Sequence, residues 1–381
     1  MHGPLHGIRV VELSTMITAP FAGMLLADMG ADVIKVENPD GGDPFRQYGG
    51  GDYSAQFCSY NRNKRSVALS LKSDLGRTAL ERLIVRADVL LDNFRPRVLD
   101  RLGFGEDRLK ALNPALIHCS ISGFGSSGPY VDRPCYDAIA QAVSGMASQF
   151  LDPERPRLAG ITIPDNVTGQ YAAFGIVSAL FERQRSGVPR RLEVSMLEAA
   201  IAFMPEPFAY LTHNGEKADA YLRIRNSQAY AFRCNDGGLV VTHLSSRQKF
   251  WEEFAHVVGR PDWMQDDRFD SLDKRVANYE RLHAEAAVEF TRYDQRHWLA
   301  RFEGRDVPFA SVNQIDQVFE DAQVRHLDSF MATVHPAKGT LLSPRRPIWV
   351  DGQRHDQPRR PPPILGEHTA EVLRELGVDA D

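Results

Sequence analysis

The sequence predicts an α/β protein: a parallel sheet covered by helices, followed by a smaller α+β domain. Three observations carry this. Short apolar runs alternate with helical stretches through the first half of the chain, the character changes after about Pro205, and a strong hairpin signal lies beyond that point.

The elements follow in order. Ile8 to Leu13 (IRVVEL) and Asp32 to Val36 (DVIKV) are strand-like runs. Between them Pro20 suits a first helical turn and Gly30 a helix end, which makes a strand–helix–strand unit. The pattern repeats with a helix over Leu80 to Arg86, a strand over Asp88 to Leu91, a mostly helical Leu99 to Leu112, and a strand over Leu116 to Ser120. Asn166 to Arg185 carries Val167, Tyr171, Phe174, Val177 and Phe181 at helical spacing, and Gly187 and Pro189 stop it. A strand at Leu192 to Met196 and a helix from Leu197 to about Ala202 complete the first part. Tyr210 to Ala229 reads as polar and irregular. AYAFRCNDGGLVVTHL then reads as a hairpin turning at Asn235-Asp236-Gly237-Gly238. Amphipathic helices follow at Arg247 to Val258 and Ala277 to Phe290. Residues 335–364, rich in Pro and Arg, read as an extended strap before a short helix at Thr369 to Leu376. The expected division is a large domain over 1–205, a linker over 206–229, a small domain over 230–325, and a strap with C-terminal return over 326–381.

Composition limits the function. The 381 residues carry a net charge of -5, without the basic excess that marks nucleic-acid or membrane-surface partners. Cys58, Cys119, Cys135 and Cys234 form no C-x-x-C pair, so neither a zinc site nor a disulfide framework is expected. No segment approaches the ~20 apolar residues of a membrane span, and the N-terminus lacks the pattern of a signal peptide. A soluble, cytoplasmic protein is expected.

The chemistry-bearing residues point to a carboxylate. No phosphate-binding Walker loop, kinase signature or G-x-S-x-G elbow occurs. Asp165 follows Ile161-Thr162-Ile163-Pro164 and precedes the long helix. An Asp there suits an N-cap, and the positive end of the helix would hold it ionised, the state a carboxylate nucleophile needs. The two readings are compatible. Asn61-Arg62-Asn63-Lys64-Arg65 is a basic cluster that suits either phosphate contact or a solvated surface, and Ser122 to Pro129 is a glycine-rich stretch, either a plain turn or one whose Gly123 lets backbone approach a ligand closely. Asn93-Phe94-Arg95-Pro96 falls where a parallel strand ends, the edge at which such sheets bind ligands.

Together these motifs resemble the class III CoA-transferases, the CaiB/BaiF family that includes formyl-CoA:oxalate and carnitine CoA-transferases and is related to the α-methylacyl-CoA racemases. The resemblance rests on LHGIRVVEL (Leu5 to Leu13), LLADMGADVIKVE (Leu25 to Glu37), NRNKRSVALSLK (Asn61 to Lys72) and DNFRPRVLDRLGFG (Asp92 to Gly105). It continues through LNPALIHCSISGFGSSGPY (Leu112 to Tyr130), YDAIAQAVSG (Tyr136 to Gly145), PDNVTG (Pro164 to Gly169), ALFERQRSG (Ala179 to Gly187) and LGEHT (Leu365 to Thr369).

The resemblance implies a Rossmann-like large domain, an interlocked homodimer, and acyl-CoA as a substrate rather than a tightly bound cofactor. It makes Asp165 the catalytic residue and puts Leu69, Lys72, Asn93, Phe94 and Arg101 along the CoA site, with Arg95 joining Lys72 and Arg101 at the phosphates. Three positions depart from the family pattern: Asn38 replaces an Arg, and Met16-Ile17 replaces a Val-Gln pair. The racemases place a His where Tyr136 stands here, and use a Glu absent from His243 to Arg247. Proton donors and acceptors on both faces of an α-carbon are therefore incomplete, and a transferase is expected over a racemase or a non-catalytic CoA-binding protein. The implied route runs through an aspartyl anhydride and an aspartyl-CoA thioester on Asp165. The acceptor, a small carboxylic acid, would meet Met16, Ile17, Tyr136, Asn226-Ser227-Gln228 and the partner subunit; Tyr48, Tyr53 and residues 49–51 read as a surface loop or as its border.

Overall fold

The structure, a computed structural model, describes residues 3–49, 53–158, 160–354 and 360–378. The chain forms two compact units: Met1–Ala147, Arg157–Pro205 and Asp328–Asp381 make the larger, Ser148–Pro156 and Glu206–Leu327 the smaller.

The larger unit runs β1 (Arg9–Leu13), α1 (Thr18–Asp28), β2 (Asp32–Glu37), α2 (Ala55–Tyr60), β3 (Arg65–Ala68), α3 (Asp74–Val85), β4 (Val89–Asp92), α4 (Val98–Arg101) and α5 (Glu106–Leu112). It continues with β5 (Ile117–Ser122), α6 (Asp137–Ser144), α7 (Ile163–Ser186), β6 (Arg191–Ser195) and α8 (Met196–Phe203). The six strands are parallel in the order β3-β2-β1-β4-β5-β6. This is the Rossmann-like α/β arrangement, with its switch point between β1 and β4.

Alternation along the strands sends apolar side chains to both faces. Val11, Leu13, Ile34 and Leu90 pack under Leu80, Leu83 and Ile84 of α3. Val10, Val33, Val89 and Ile117 pack under Ala19, Ala22 and Leu26 of α1 and Ala172, Ala173 and Ile176 of α7.

The smaller unit holds α9 (Pro205–Asn214), α10 (Leu222–Ser227), β7 (Ala229–Arg233), β8 (Leu239–His243), α11 (Gln248–Val258), α12 (Leu272–Ala277), α13 (Tyr279–Phe290), α14 (Gln295–Phe302), β9 (Phe309–Ser311) and α15 (Ala322–His326). β7 and β8 form the expected antiparallel hairpin, closing with Arg233 opposite Leu239. Its core is aromatic, built on Trp251, Phe254, Trp263, Phe290 and Trp298.

The chain then returns to the larger unit as β10 (Phe330–His335), β11 (Gly339–Pro344) and α16 (Thr369–Leu376). The return explains the LGEHT stretch. His368 N–H donates to the Ser66 carbonyl at 2.9 Å, Ser66 N–H to His368 Nδ1 at 3.2 Å, and Ala68 N–H to Thr369 Oγ1 at 3.0 Å. The outer edge of β3 is thereby paired rather than left open.

Three expectations need correction. Tyr210 to Ala229 is not irregular throughout: α9 reaches Asn214 and α10 spans Leu222–Ser227, where Leu222 and Ser227 find buried places that polarity alone does not announce. The strap over 335–364 begins as the β10–β11 hairpin, and residues 355–359 of it lie outside the described residues. The stretch Leu99 to Leu112 divides into α4 and α5 at Gly103, whose φ of 87° takes the chain out of the helix. Among the described residues no helix is long and apolar enough to cross a membrane.

Candidate active site

Asp165 is placed by its helix. It is the third residue of α7, and Thr162 rather than Asp165 stands at the N-cap. The expected cap role is therefore not its own. One turn further, on the same face, comes Gly169. A Cβ built there would lie 2.6 Å from the Thr18 carbonyl oxygen and 3.0 Å from the Phe21 ring, so only glycine lets α7 approach the start of α1 this closely. Asp165 is thus carried to the β1–α1 turn.

A second close approach shapes the opposite wall. Gly123 ends the run from β5, and a Cβ there would meet the Cys135 Cβ at 2.2 Å. The strand end and the Cys135-Tyr136 segment are in direct contact for that reason. Asp137 opens α6 behind them. Its carboxylate accepts the Asp165 backbone N–H at 3.2 Å and the Gln141 amide at 2.6 Å.

These elements enclose a cavity of about 730 Å3 at the carboxyl edge of the sheet, at the β1/β4 switch. Met16, Ile17, Asn93, Phe94, Arg95, Gly123, Tyr136 and Asp165 all line it, as does Tyr48. The Asn93 side chain is spent within the protein, donating to the Thr15 carbonyl at 2.8 Å and Thr18 Oγ1 at 3.1 Å and accepting from Thr15 N–H at 3.1 Å. It ties the ends of β1 and β4 together instead of reaching a ligand.

Asn38, Leu69, Lys72 and Arg101 are not in the cavity wall. Leu69 is buried in the core, while Asn38, Lys72 and Arg101 are exposed beyond the ends of β2, β3 and β4, along the same sheet edge. Tyr53 packs on His335, with ring centroids 4.8 Å apart, and Gly50 and Gly51 fall outside the described residues. Asn226 donates to Tyr210 and Gln228 to the Arg225 carbonyl, both within the smaller unit.

The basic cluster is corrected outright. Arg62 pairs with Asp28 at 2.6 Å, Lys64 with Glu12 at 2.9 Å, and Arg65 with Asp32, Glu371 and Glu375. All three are buried and serve the fold. By contrast Lys72, Arg95, Arg97 and Arg101 make no side-chain hydrogen bond or ion pair among the described residues. The difference is that the first set lies on β3 and its approach, inside the unit, while the second follows strand ends.

The electrostatics of Asp165 run against the helix-end expectation. Burial, with the Asp137 charge adding to it, pushes the Asp165 carboxyl up to about 7. Desolvation and a like charge nearby both disfavour the ionised form. Burial also raises Asp137, partly opposed by the hydrogen bonds it accepts, and it pushes the nearby Cys135 thiol up to about 11, which keeps it protonated. The result is one half-buried carboxyl near neutrality on the wall of a large cavity, the combination that marks reactive acids.

Sequence reasoning did not single out Asp137 and Arg133, which line the cavity, or Arg97, which lines a neighbouring pocket with Arg95. Arg133 lines the cavity, with its guanidinium 4.3 Å from the centre of the Tyr130 ring. Asp137 gave one signal, its place beside Tyr136 ahead of an apolar-periodic stretch. Arg97 gave none, because its φ of 66° is decided by the turn into α4.

Comparison with known proteins identifies the family. The chain is 34% identical over 384 residues to succinate–glutarate CoA-transferase of Agrobacterium fabrum, covering 98% of this chain and 96% of that protein. It is 33% identical to acetyl-CoA:oxalate CoA-transferase of Acetobacter aceti over 98% and 96% of the two. The solved structure of a CAIB/BAIF family protein from Brucella suis matches with a TM-score of 0.87 and 29% identity, covering 99% of this chain and 100% of that one. Residues 5–369 match the family as a whole, and the chain belongs to CoA-transferase family III.

Proposed function

We propose that this protein moves CoA from an acyl-CoA donor to a small carboxylic acid, with Asp165 as the covalent nucleophile. The observation that carries the reading is the Asp165 carboxyl on the cavity wall, raised to about 7 by burial, in a cavity that Arg95 also lines. A carboxylate short of water gives up little hydration when it attacks.

In the first step an Asp165 oxygen attacks the thioester carbonyl, the C–S bond breaks, and CoA leaves as thiolate. The thiolate then attacks the Asp165 carbonyl carbon of the mixed anhydride. The donor acid is released as carboxylate, and aspartyl-CoA thioester remains. The acceptor carboxylate attacks that thioester and expels the thiolate, which finally attacks the acceptor carbonyl and frees Asp165. Every bond broken is matched by one formed, and no net proton is taken up. Covalent catalysis divides one exchange into four lower barriers. Arg95, Arg97, Lys72 and Arg101 would meet the CoA phosphates from the sheet edge. Tyr136, rather than His, at the mouth supports transfer over racemisation.

The protein would act as a homodimer. Phe174 and Phe181, seven residues apart on one face of α7, are 71% and 60% exposed, the kind of apolar side chains that a partner subunit would cover. Cys58, Cys119, Cys135 and Cys234 are free thiols, which suits the reducing cytoplasm.

The test is turnover with a panel of acyl-CoA donors and mono- and dicarboxylate acceptors, followed by hydroxylamine trapping. Asp165→Ala should abolish transfer, and the wild type should carry a hydroxamate at Asp165 after exposure to acyl-CoA. Transfer retained by the variant would remove the proposal.

A further inference from the structure

Beneath the cavity lies a buried chain of alternating charges that the mechanism does not use. Lys64 pairs with Glu12 at 2.9 Å, Glu12 with Lys35 at 3.0 Å, and Lys35 with Asp43 at 3.0 Å, and all four side chains are fully buried. Two ammonium groups and two carboxylates sum to zero, which is what lets them remain inside. Gly23 of α1 makes room: a Cβ there would lie 2.0 Å from Glu12 Oε2.

None of the four side chains lines the cavity. They reach it through the β1–α1 turn and the first turn of α1, which they hold at three points. Lys35 Nζ donates to the Ser14 carbonyl at 2.8 Å, and Lys64 Nζ to the Pro20 carbonyl at 2.8 Å. Between these, the Met16 N–H donates to both Asp43 oxygens at 3.2 Å. Met16 has a φ of 69°, left-handed backbone that a side chain of its kind rarely adopts. Such a residue persists only where its surroundings enforce it. Met16 and Ile17 form the cavity wall at this turn.

We infer that Asp43 is a positioning residue of this site: its carboxylate, neutralised by Lys35, holds Met16 in the left-handed turn that aims the β1–α1 wall at the reacting groups. Asp43 is well made for this. It also accepts the Phe45 N–H at 3.0 Å, so its own orientation is fixed from the following turn. Lys35 stays charged: burial lowers it, and Asp43, Glu12 and Glu37 together more than offset that. The kinetic part of the inference rests on the transferase reading, while the structural part stands without it.

The experiment is Asp43→Asn made in the wild type and in a Met16→Gly background. Glycine adopts the left-handed turn without help, so it separates the hold on Met16 from general stability. Asp43→Asn should lower kcat about 50-fold with the KM for acyl-CoA within about 3-fold, and that loss should shrink at least about 5-fold in the Met16→Gly background. Independently of turnover, the Met16 amide should exchange about 100-fold faster in Asp43→Asn while the Val11 amide is unchanged. Equal kcat losses in both backgrounds, or an unchanged Met16 amide, overturns the inference. A wild type without transferase activity defeats the preceding proposal instead, and amide exchange then decides this one alone. If Asp43→Asn does not fold, Lys35→Met/Asp43→Asn removes the unpaired buried ammonium and carries the same measurements.

Discussion

The backbone N–H of Asp165 donates to the carboxylate of Asp137 at 3.2 Å, which couples the first turns of α7 and α6 and sets two acids side by side. The contact orients Asp137 and brings its charge close to the Asp165 carboxyl, where repulsion adds to burial in raising it.

Transfer should therefore rise with pH through about 7 as Asp165 ionises, falling about tenfold per pH unit well below that midpoint. Asp137→Asn removes the smaller of the two causes. The acidic limb should move down but stay above the ordinary 3.8 of an aspartate, because burial persists. A pH profile of kcat/KM checks this, and an unmoved limb would show that the Asp137 charge is not felt.

The same shift has a stability cost with a defined sign. The folded carboxyl at about 7 lies above its ordinary 3.8, so the folded state holds more protons between those values and loses stability as pH rises across them. Asp165→Asn should raise Tm at pH 8 by a few degrees, and the gain should vanish near pH 4. Equal gains at both pH values would contradict the linkage.

Gly169→Ala should push α7 away from Thr18 and Phe21. Overpacking of this kind costs about 1–3 kcal/mol, and a displacement of Asp165 by about 1 Å costs on the order of 100-fold in rate. Thermal unfolding and kcat measured together should both fall.

Gly123→Ala should fail for a different reason, the clash with the Cys135 Cβ at 2.2 Å. Pairing it with Cys135→Gly vacates the contested space. Activity lost in the single variant should return in part in the double, and a double no better than the single would show that the contact does not set the wall.

Replacing Arg95 or Arg97 by Glu should raise the KM for acyl-CoA at least about tenfold, with an effect that shrinks at high salt, since each guanidinium is free for a phosphate. Arg62→Ala, which breaks a buried pair with Asp28, should instead lower Tm and leave that KM unchanged. The contrast separates ligand-binding cations from structural ones.

The strands and helices of the larger unit were legible because alternation between short apolar runs and 3.6-period stretches is local and survives in the sequence. Asp165, Gly123 and the strand end at Asn93-Phe94-Arg95 were legible for a related reason: a proline before a helix, glycines after a strand and a polar break in an apolar run each mark a place on the backbone. The resemblance to the family supplied the role that these places alone left open.

What the sequence could not decide is what each charge faces. Arg62, Lys64 and Arg65 read as a surface patch and turn out to be buried partners of Asp28, Glu12 and Asp32, residues far away along the chain. Asn93 reads as a ligand contact and is consumed by Thr15 and Thr18. The Asp165 carboxyl, expected to be held ionised by its helix, is raised by burial and by Asp137, a neighbour from a different helix. Local patterning fixes backbone direction, and a residue carries that information itself. Ionisation, pairing and solvation depend on atoms brought within a few ångströms from elsewhere, and only the packed chain sets those distances.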